Sequence, residues 1–413
     1  MKIIDKPFVQ FLFLLLSIFP IYIYSQTLYS HAVNIPFYDD YDAILSFLNR
    51  WKHLNITDKI NSLLDQHNEH RIFSSRIIYA SYFEFFGNIN FKHLLLIGNL
   101  QLLSIALFVC LIFFDQVREI YGLFIFVVSF CLFDLSSYEN SIWTMASVAN
   151  YGIIMLFLMS IYYYSKKNPY LTIIALVCQL ACMLSNGNGA IAGFSIILFN
   201  VLNRDRIKII ISIFITIIGV YLYFKGYQSS SFNFENINPI GIFAFLVKFF
   251  GSHFYYNSII RVLITTVTLI ILSRWLIFPI DKTLISRFYK NPKILSVLFF
   301  ITASVVVTAI FRSQGINGAG SYSSRYLIYA HLYTILIFIV TILISKKRIL
   351  KNSLPISWAI VLIISFFINF EYGKANLTAF SNYHKENKYA FPGNSIHAEQ
   401  IAIISCEEDI YCR

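Results

Sequence analysis

Eleven apolar segments run along this chain of 413 residues, and they constrain its fold more than any motif does. Crossing the hydrocarbon core of a bilayer takes about 20 apolar residues, and backbone polar groups in lipid must bond to one another within a helix. The composition agrees, since 57% of the residues are hydrophobic and only 13% are charged. We therefore predict an all-α polytopic membrane protein with about eleven transmembrane helices. The predicted spans are Pro7–Tyr24, Phe91–Phe114, Tyr121–Ser137, Val148–Tyr164, Tyr170–Leu184, Ala190–Leu202, Ile209–Phe224, Ser258–Ile277, Leu295–Phe311, Tyr326–Ser345 and Pro355–Phe370.

The distribution of basic residues predicts the topology. With a cytoplasmic N-terminus, 17 of the 32 basic residues fall in short cytoplasmic segments, whereas the outer turns Tyr138–Ser147 and Ser185–Gly189 hold none. This is the positive-inside asymmetry of membrane proteins. The net charge of +11 is thus explained by topology and does not indicate nucleic-acid binding. We expect a multi-pass protein of the inner (plasma) membrane with an extracytoplasmic C-terminus.

The predicted domain organisation is a transmembrane domain over residues 1–370 and a small extracytoplasmic tail over residues 371–413. The first outer loop, residues 25–90, contains 7 of the 21 acidic residues. Within it, Asp40–Trp51 and His70–Phe86 have helical spacing of apolar residues, and the second is rich in aromatic residues. We predict interface helices for both. Cys406 and Cys412 lie in the tail, where an oxidising compartment would allow a disulfide.

Three carboxylates within four positions, Asp39, Asp40 and Asp42, follow the first span closely. Adjacent carboxylates repel each other, and the flanking aromatic residues exclude water, so one of them is expected to have a raised pKa. Such a group can accept a proton from a hydroxyl. The alternative is structural, because aspartate is favoured at the start of a helix. Asp39 and Asp40 are the candidate catalytic residues, and Asp42 is a candidate for substrate binding.

A second group of polar residues, His67, Glu69, His70 and Arg71, with Arg76 further on, lies in the same loop. In a helix, His67 would share a face with His70 and Arg71. Arginine presents a planar fork that matches phosphate oxygens, so these residues are candidates for binding an anionic substrate. A divalent metal bound by His67 or His70 with Asp39 or Asp40 is an open alternative, as is a solvated turn.

Further candidates lie in later outer loops. Arg312 and Arg325 flank a loop rich in glycine and serine, whose backbone could wrap an anion, although arginines at span ends also snorkel to the interface. Glu139 and Asn140 occupy a short polar turn with no basic neighbour in sequence. Inside the spans, Asp134, Arg261 and His331 are isolated or near the ends, which argues against an ion-coupled transporter.

Four short strings carry a family resemblance: Phe37-Tyr38-Asp39-Asp40-Tyr41, Asn68-Glu69-His70-Arg71, Tyr138-Glu139-Asn140-Ser141-Ile142-Trp143 and Ser323-Ser324-Arg325-Tyr326. They resemble strings in uncharacterised bacterial proteins encoded near surface-polysaccharide genes. The order of one span, a long outer loop with Asp-Asp, interface helices and then many spans resembles the GT-C class of membrane glycosyltransferases.

The resemblance implies a donor, an acceptor and residue roles. Members of the class use polyprenyl-phosphate-linked sugars, an acidic residue early in the first outer loop acts as base or metal ligand, and basic residues hold the donor phosphate. These roles fall on Asp39 or Asp40 and on Arg71, Arg76 or Arg325. The short tail favours a glycan or glycolipid acceptor. A lipid-linked oligosaccharide flippase and a polysaccharide polymerase are the alternative functions.

Overall fold

The protein is an assembly of α-helices in the residues that its structure, a computed structural model, describes: 6–228, 238–254, 258–277, 291–312, 323–344, 350–387, 389 and 394–412. In chain order the helices are α1 (Pro7–His31), α2 (Phe47–Trp51), α3 (Ile56–Leu63), α4 (Phe73–Phe86), α5 (Phe91–Val117), α6 (Tyr121–Leu132), α7 (Tyr138–Ile142), α8 (Thr144–Tyr164), α9 (Pro169–Met183), α10 (Gly189–Leu202), α11 (Arg206–Phe224), α12 (Pro239–Phe249), α13 (Ser258–Ile277), α14 (Pro292–Arg312), α15 (Leu327–Ile344), α16 (Leu350–Glu386) and α17 (Ser395–Glu407).

The predicted class, an all-α polytopic membrane protein, is confirmed. A helix overlaps each of the eleven predicted segments, and in the described residues eight helical stretches are long and apolar enough to cross a membrane. Three shorter apolar helices, α9, α10 and α12, add to these. Phe8, Ile210 and Ile270 are 70%, 68% and 62% exposed on such helices, as expected for side chains that face lipid. The number of crossings remains a prediction.

Helices α1, α5 and α6 show how the first spans are arranged. Gln10, near the start of α1, accepts a hydrogen bond from the Gly122 N–H at the start of α6, at 2.6 Å. Tyr24, near the end of α1, instead donates to Asn99 in the first third of α5, at 2.5 Å. Helix α6 therefore runs parallel to α1, and α5 runs antiparallel to both. The short 3-10 turn Arg118–Ile120 makes the reversal between α5 and α6.

The first loop has its own hydrophobic core. Tyr41, Phe47, Tyr79 and Leu94 are all at most 1% exposed and belong to one cluster, which is separate from the main cluster between the spans. Residues Tyr41–Ser46 form a π-helical turn that leads into α2, so the helix predicted over Asp40–Trp51 is present in this form. We call the end of the bundle that carries residues 32–90 the first-loop face.

The helix predicted over His70–Phe86 is present from Phe73 onward, but His67 to Arg71, considered above as part of a helix, are not helical. Gln66–His67 (β1) and His70–Arg71 (β2) form a two-residue antiparallel hairpin, and α4 begins only at Phe73. The reason is local: Asn68 adopts a left-handed conformation with φ of 48°, which asparagine tolerates well and which reverses the chain. His67 and His70 face each other across the hairpin and do not follow one another along a helix.

The C-terminal segment packs on the first loop. Helix α16 continues well past residue 370, to Glu386, and α17 then contributes Ala398 and Ile401 to the first-loop core. The N–H of Ile89 donates to the Ile410 carbonyl at 2.8 Å, and the Tyr411 hydroxyl donates to a first-loop carbonyl. Cys406 and Cys412 form a disulfide. The loop and the tail thus form one folded unit at the first-loop face.

Candidate functional site

Four stretches that are far apart in sequence meet at the first-loop face. Asp39 follows α1, Asn68 lies at the tip of the hairpin, Glu139 belongs to α7, and Arg325 lies in the 3-10 turn Ser324–Tyr326 before α15. The charges of Asp39 and Arg325 interact, and the Asn68 side chain also interacts with the Asp39 carboxylate. Glu139 contacts Arg325 directly. The structure thus brings together candidates from each of the four strings that the sequence analysis singled out.

Asp40 is the buried member of the aspartate pair and joins two backbone segments. Its Oδ2 accepts the Phe37 N–H at 3.0 Å, and its Oδ1 accepts the Met145 N–H at 2.8 Å in the first turn of α8. The residue is 1% exposed, and this burial raises the pKa of its carboxyl to about 8 although both hydrogen bonds oppose the change. Asp40 therefore has the contacts of a residue that caps α8 and fixes the first loop to it.

Asp39 is half-buried, unlike the fully buried Asp40. Burial raises the pKa of Asp39 above its ordinary value, and the charge of Asp42 raises it further, whereas Arg325 and Asn68 act in the opposite direction. The preceding residue, Tyr38, is held at φ of 48°, a conformation that costs a bulky residue about 1–2 kcal/mol and persists only where the surroundings enforce it. Asp39 thus combines a raised pKa with partial exposure, which suits a general base.

Glu139 and Asn140 hold the backbone of Arg325 from two sides. Glu139 Oε2 accepts the Arg325 N–H at 3.0 Å and the Ser324 hydroxyl at 2.9 Å. Asn140 Nδ2 donates to the Arg325 carbonyl at 2.7 Å. The guanidinium carbon lies 5.7 Å from the centre of the Trp143 ring. Glu139 and Asn140 therefore position Arg325, and the stacked guanidinium offers a planar fork of the kind that binds phosphate oxygens.

His70 lies close enough to Arg312 and Arg325 for their charges to act on it. The His70 ring packs against Gly187 in the turn between α9 and α10, where a Cβ would approach the ring Nδ1 to 2.8 Å. Burial lowers the pKa of His70, Glu69 acts against this, and the positive charges of Arg312 and Arg325 lower it further. The imidazole is therefore neutral at pH 7. Arg312 is exposed at the end of α14.

Arg71 and Arg76 are buried and bound to backbone carbonyls. The Arg71 guanidinium donates to Tyr223 at 2.6 Å and to Lys225, which are the carbonyls that end α11. Arg76 donates to two carbonyls at the end of α3, and burial lowers its pKa to about 10. Arg71 fixes the first loop to the end of α11, and Arg76 joins α4 to the end of α3 within the loop. This leaves Arg312 and Arg325 as the better placed candidates for binding an anion.

His67 and Asp42 also have defined partners. Burial, with the nearby charge of Arg76, lowers the pKa of His67 to about 4, so its ring is neutral at pH 7. Asp42 Oδ1 lies 2.9 Å from Nε2 of His397 at the start of α17. Asp42 thus links the first loop to the C-terminal tail while its charge acts on Asp39.

Sequence reasoning did not select the asparagines that continue the site into the bundle. Asn150 Nδ2 donates to Asn140 Oδ1 at 2.8 Å, and Asn186 Nδ2 donates to Asn150 Oδ1 at 3.4 Å. A signal for this was present in the sequence, because Asn150 interrupts an apolar span, where an amide needs hydrogen-bond partners. Residues 313–322 of the glycine-rich loop lie outside the described residues.

The candidate metal ligands differ from those expected. Among the described residues, Asp134, His253 and His331 are the group whose ligand atoms come close enough to share one ion. The expectation that Asp134 and His331 are isolated is wrong, because the fold places both beside His253. Sequence separation concealed this group, since its members lie in three different elements.

The fold and its lipid-facing helices define a helical multi-pass membrane protein. Comparison of the chain with protein-family models, with curated proteins and with solved structures finds no match. The geometry of the first-loop face is therefore the basis for a functional interpretation.

Proposed function

We propose that this protein is a membrane glycosyltransferase of GT-C type, which moves a sugar from a polyprenyl-phosphate donor to a cell-envelope glycan or glycolipid. The observation that carries the proposal is the charge interaction between a half-buried carboxylate, Asp39, and Arg325, whose backbone is held by Glu139. A proton acceptor and a candidate anion site are then close enough for their charges to interact. The reaction would take place on the extracytoplasmic side of the plasma membrane.

The proposed chemistry is a single displacement at the anomeric carbon. The acceptor hydroxyl gives its proton to the Asp39 carboxylate while its oxygen forms the new bond to that carbon. The bond from the anomeric carbon to the phosphate oxygen breaks, and its electron pair leaves with the lipid phosphate. Arg325 and Arg312 would stabilise the negative charge that develops on the departing phosphate. This stabilisation is expected to be the larger electrostatic contribution to catalysis. One displacement of this kind inverts the anomeric centre, by analogy with inverting glycosidases.

The position of Arg325 suits a lipid-linked donor. It lies at the start of a helical stretch that is long and apolar enough to span the membrane, Ser324–Ile344, so its guanidinium is expected near headgroup depth. The phosphate of a polyprenyl-linked sugar occupies the same depth. Glu139 and Asn140 keep the arginine backbone fixed, which reduces the cost of ordering the site when the donor binds.

The test is mass spectrometry of envelope glycans from a strain that lacks the gene and is complemented with variants. Asp39→Asn keeps the shape of the side chain but cannot accept a proton, and loss of a general base lowers rates by about 10²–10⁴-fold. We expect the deletion strain and the Asp39→Asn strain to lack the same single sugar.

The matched control is Asp58→Asn, which changes an exposed first-loop aspartate on α3 and should restore the full glycan. Membrane levels of each variant are measured by immunoblot. A full glycan in the Asp39→Asn strain would contradict the proposed mechanism. If the protein were a flippase, the deletion strain would accumulate complete lipid-linked oligosaccharide. If it were a polymerase, the deletion strain would contain single repeat units in place of a ladder.

A further inference from the structure

A second polar cluster lies inside the helix bundle. Asp134 follows α6, His253 lies in the 3-10 turn Ser252–Phe254 between α12 and α13, and His331 lies near the start of α15. Each of the three residues is 1% exposed. Ionisable side chains are expensive in the interior of a membrane protein, and they are retained there mainly for function.

The distances from Asp134 to the two imidazoles leave room for a shared ion, and one ligand atom of each residue lies within 4.8 Å of the others. Asp134 Oδ2 lies 3.6 Å from His253 Nδ1, and Asp134 Oδ1 lies 3.7 Å from His331 Nε2. Both distances exceed a hydrogen bond. Ligands bound 2.0–2.1 Å from a tetrahedral zinc ion are about 3.3 Å apart, which is close to what the structure shows.

The carboxylate is oriented by neighbours in the way that metal ligands usually are. The N–H and hydroxyl of Ser136 donate to Asp134 Oδ1 at 3.0 and 2.7 Å, and Asn369 Nδ2 in α16 donates to Oδ2 at 2.6 Å. Asn369 also donates to the His253 carbonyl at 2.8 Å. Such outer hydrogen bonds fix ligand geometry and raise metal affinity.

Two further observations describe how closely the cluster is held together. The Nδ1 atoms of His253 and His331 lie 2.7 Å apart, so a proton or a cation must separate their lone pairs. The residue after Asp134 is Leu135, which is buried and held at φ of 63°, a costly conformation for a branched side chain. The surroundings therefore enforce the position of Asp134.

We propose that Asp134, His253 and His331 form a binding site for one divalent transition-metal ion of the zinc class. Two imidazoles and one carboxylate are a common ligand set for zinc, and they leave a position open for water or for the hydroxyl of Ser136 or Ser137. Both hydroxyls already lie within 3.2 Å of His331 Nε2.

The proposed ion goes beyond the proposed function, because this cluster and the Asp39–Arg325 pair share no residue. It would join four elements: the segment after α6, the turn at His253, α15 and α16. Three residues beyond Ser136 the same segment reaches Glu139, which holds Arg325. The ion would therefore stabilise the segment that leads to Glu139 and positions Arg325, without taking part in the proposed transfer reaction.

The experiment measures metal content and needs no sugar substrate. Full-length protein with an affinity tag that contains no histidine is purified in detergent, stripped with a chelator, incubated with zinc sulfate and desalted. Elemental analysis should then find about one zinc ion per chain in the wild type. Asp134→Asn, His253→Gln and His331→Gln should each lose it, whereas His53→Ala, at an exposed histidine of the first loop, should retain it.

A wild-type protein that binds no zinc would overturn the proposal, and so would three cluster variants that all retain it. If the variants do not fold, the spectrum of the wild-type protein loaded with Co²⁺ tests the ligands directly. After loading with Co²⁺, nitrogen hyperfine coupling from two imidazoles supports the site, and a spectrum of solvated cobalt refutes it. Because none of these readouts depends on catalysis, the failure of this proposal can be distinguished from the failure of the proposed transferase.

Discussion

Asp39 and Asp40 are adjacent and chemically identical, yet the fold gives them different tasks. Asp40 accepts two backbone N–H groups and is buried, while Asp39 is half-buried and its charge interacts with that of Arg325. The difference arises from Met145, which lies in another helix 105 residues further along the chain. The sequence predicts that the pair matters, but a contact over this separation cannot be inferred from the order of residues.

The pH dependence of transfer tests the electrostatics around Asp39. A general base works only when it is deprotonated, so activity should fall as the pH decreases through the pKa of Asp39. Arg325 lowers this pKa and Asp42 raises it. We therefore expect Arg325→Gln to move the acidic limb of kcat/KM to higher pH, and Asp42→Asn to move it to lower pH.

The measurement is the pH profile of kcat/KM for purified protein with a polyprenyl-phosphate sugar. Arg325→Gln should also reduce the maximal kcat/KM at high pH, because the donor phosphate loses a charged partner. The pH at which the acidic limb falls does not depend on this maximal value. Limbs that coincide in the wild type and both variants would exclude Asp39 as the titrating base.

At the scale of elements, the hairpin β1–β2 shows where pattern reasoning fails. A spacing of three residues between His67 and His70 fits a helix, and it fits a tight hairpin equally well. The left-handed conformation of Asn68 selects the hairpin. The Gln66 side chain then donates to the Gln228 carbonyl and accepts from the Gln228 N–H, which holds the hairpin in place. The spans were predictable because a long apolar run in lipid has few alternatives to a helix.

The contact between the hairpin and the turn after α9 can be tested by a double-mutant cycle. Gly187→Ala places a methyl group against the His70 ring and should destabilise the protein by about 1–3 kcal/mol, as overpacking does. In a His70→Ala background the same change should cost little, because the space is free. Thermal melting of the four proteins in detergent measures both costs.

Equal costs of Gly187→Ala in the two backgrounds would show that the His70 ring does not pack on this turn. The cycle is informative whatever the protein catalyses, because it depends only on folding. It therefore tests the arrangement of the candidate site separately from its proposed chemistry.

For the whole molecule, the first loop and the C-terminal tail depend on each other. Tyr411 is 4% exposed, packs edge-on against Phe91 with ring centres 5.2 Å apart, and donates to the Asn34 carbonyl at 2.8 Å. Sequence analysis treated the tail as a separate small segment, because nothing in its composition shows which surface it covers.

Truncation of Tyr411 should therefore loosen the first loop. Tyr411→Ala removes a large buried ring, and such changes cost about 3–5 kcal/mol. We expect faster proteolysis within residues 32–90 and loss of transfer activity. The control is Ile403→Ala, at a position on α17 that is 48% exposed and should leave both properties unchanged. A loop equally resistant in Tyr411→Ala would mean that the tail is dispensable for its fold.

The hydrogen bond between Ile89 and Ile410 has a consequence for the order of biosynthesis. Residues near Ile410 leave the ribosome only after α5 to α16 have been made, so part of the first-loop core stays uncovered while these helices are inserted. The first-loop core is completed only when α17 and Ile410 pack on it. A chain that stalls or is cut before Ile410 has been made keeps part of its first-loop core uncovered. Proteases can then recognise the exposed loop and degrade the incomplete chain.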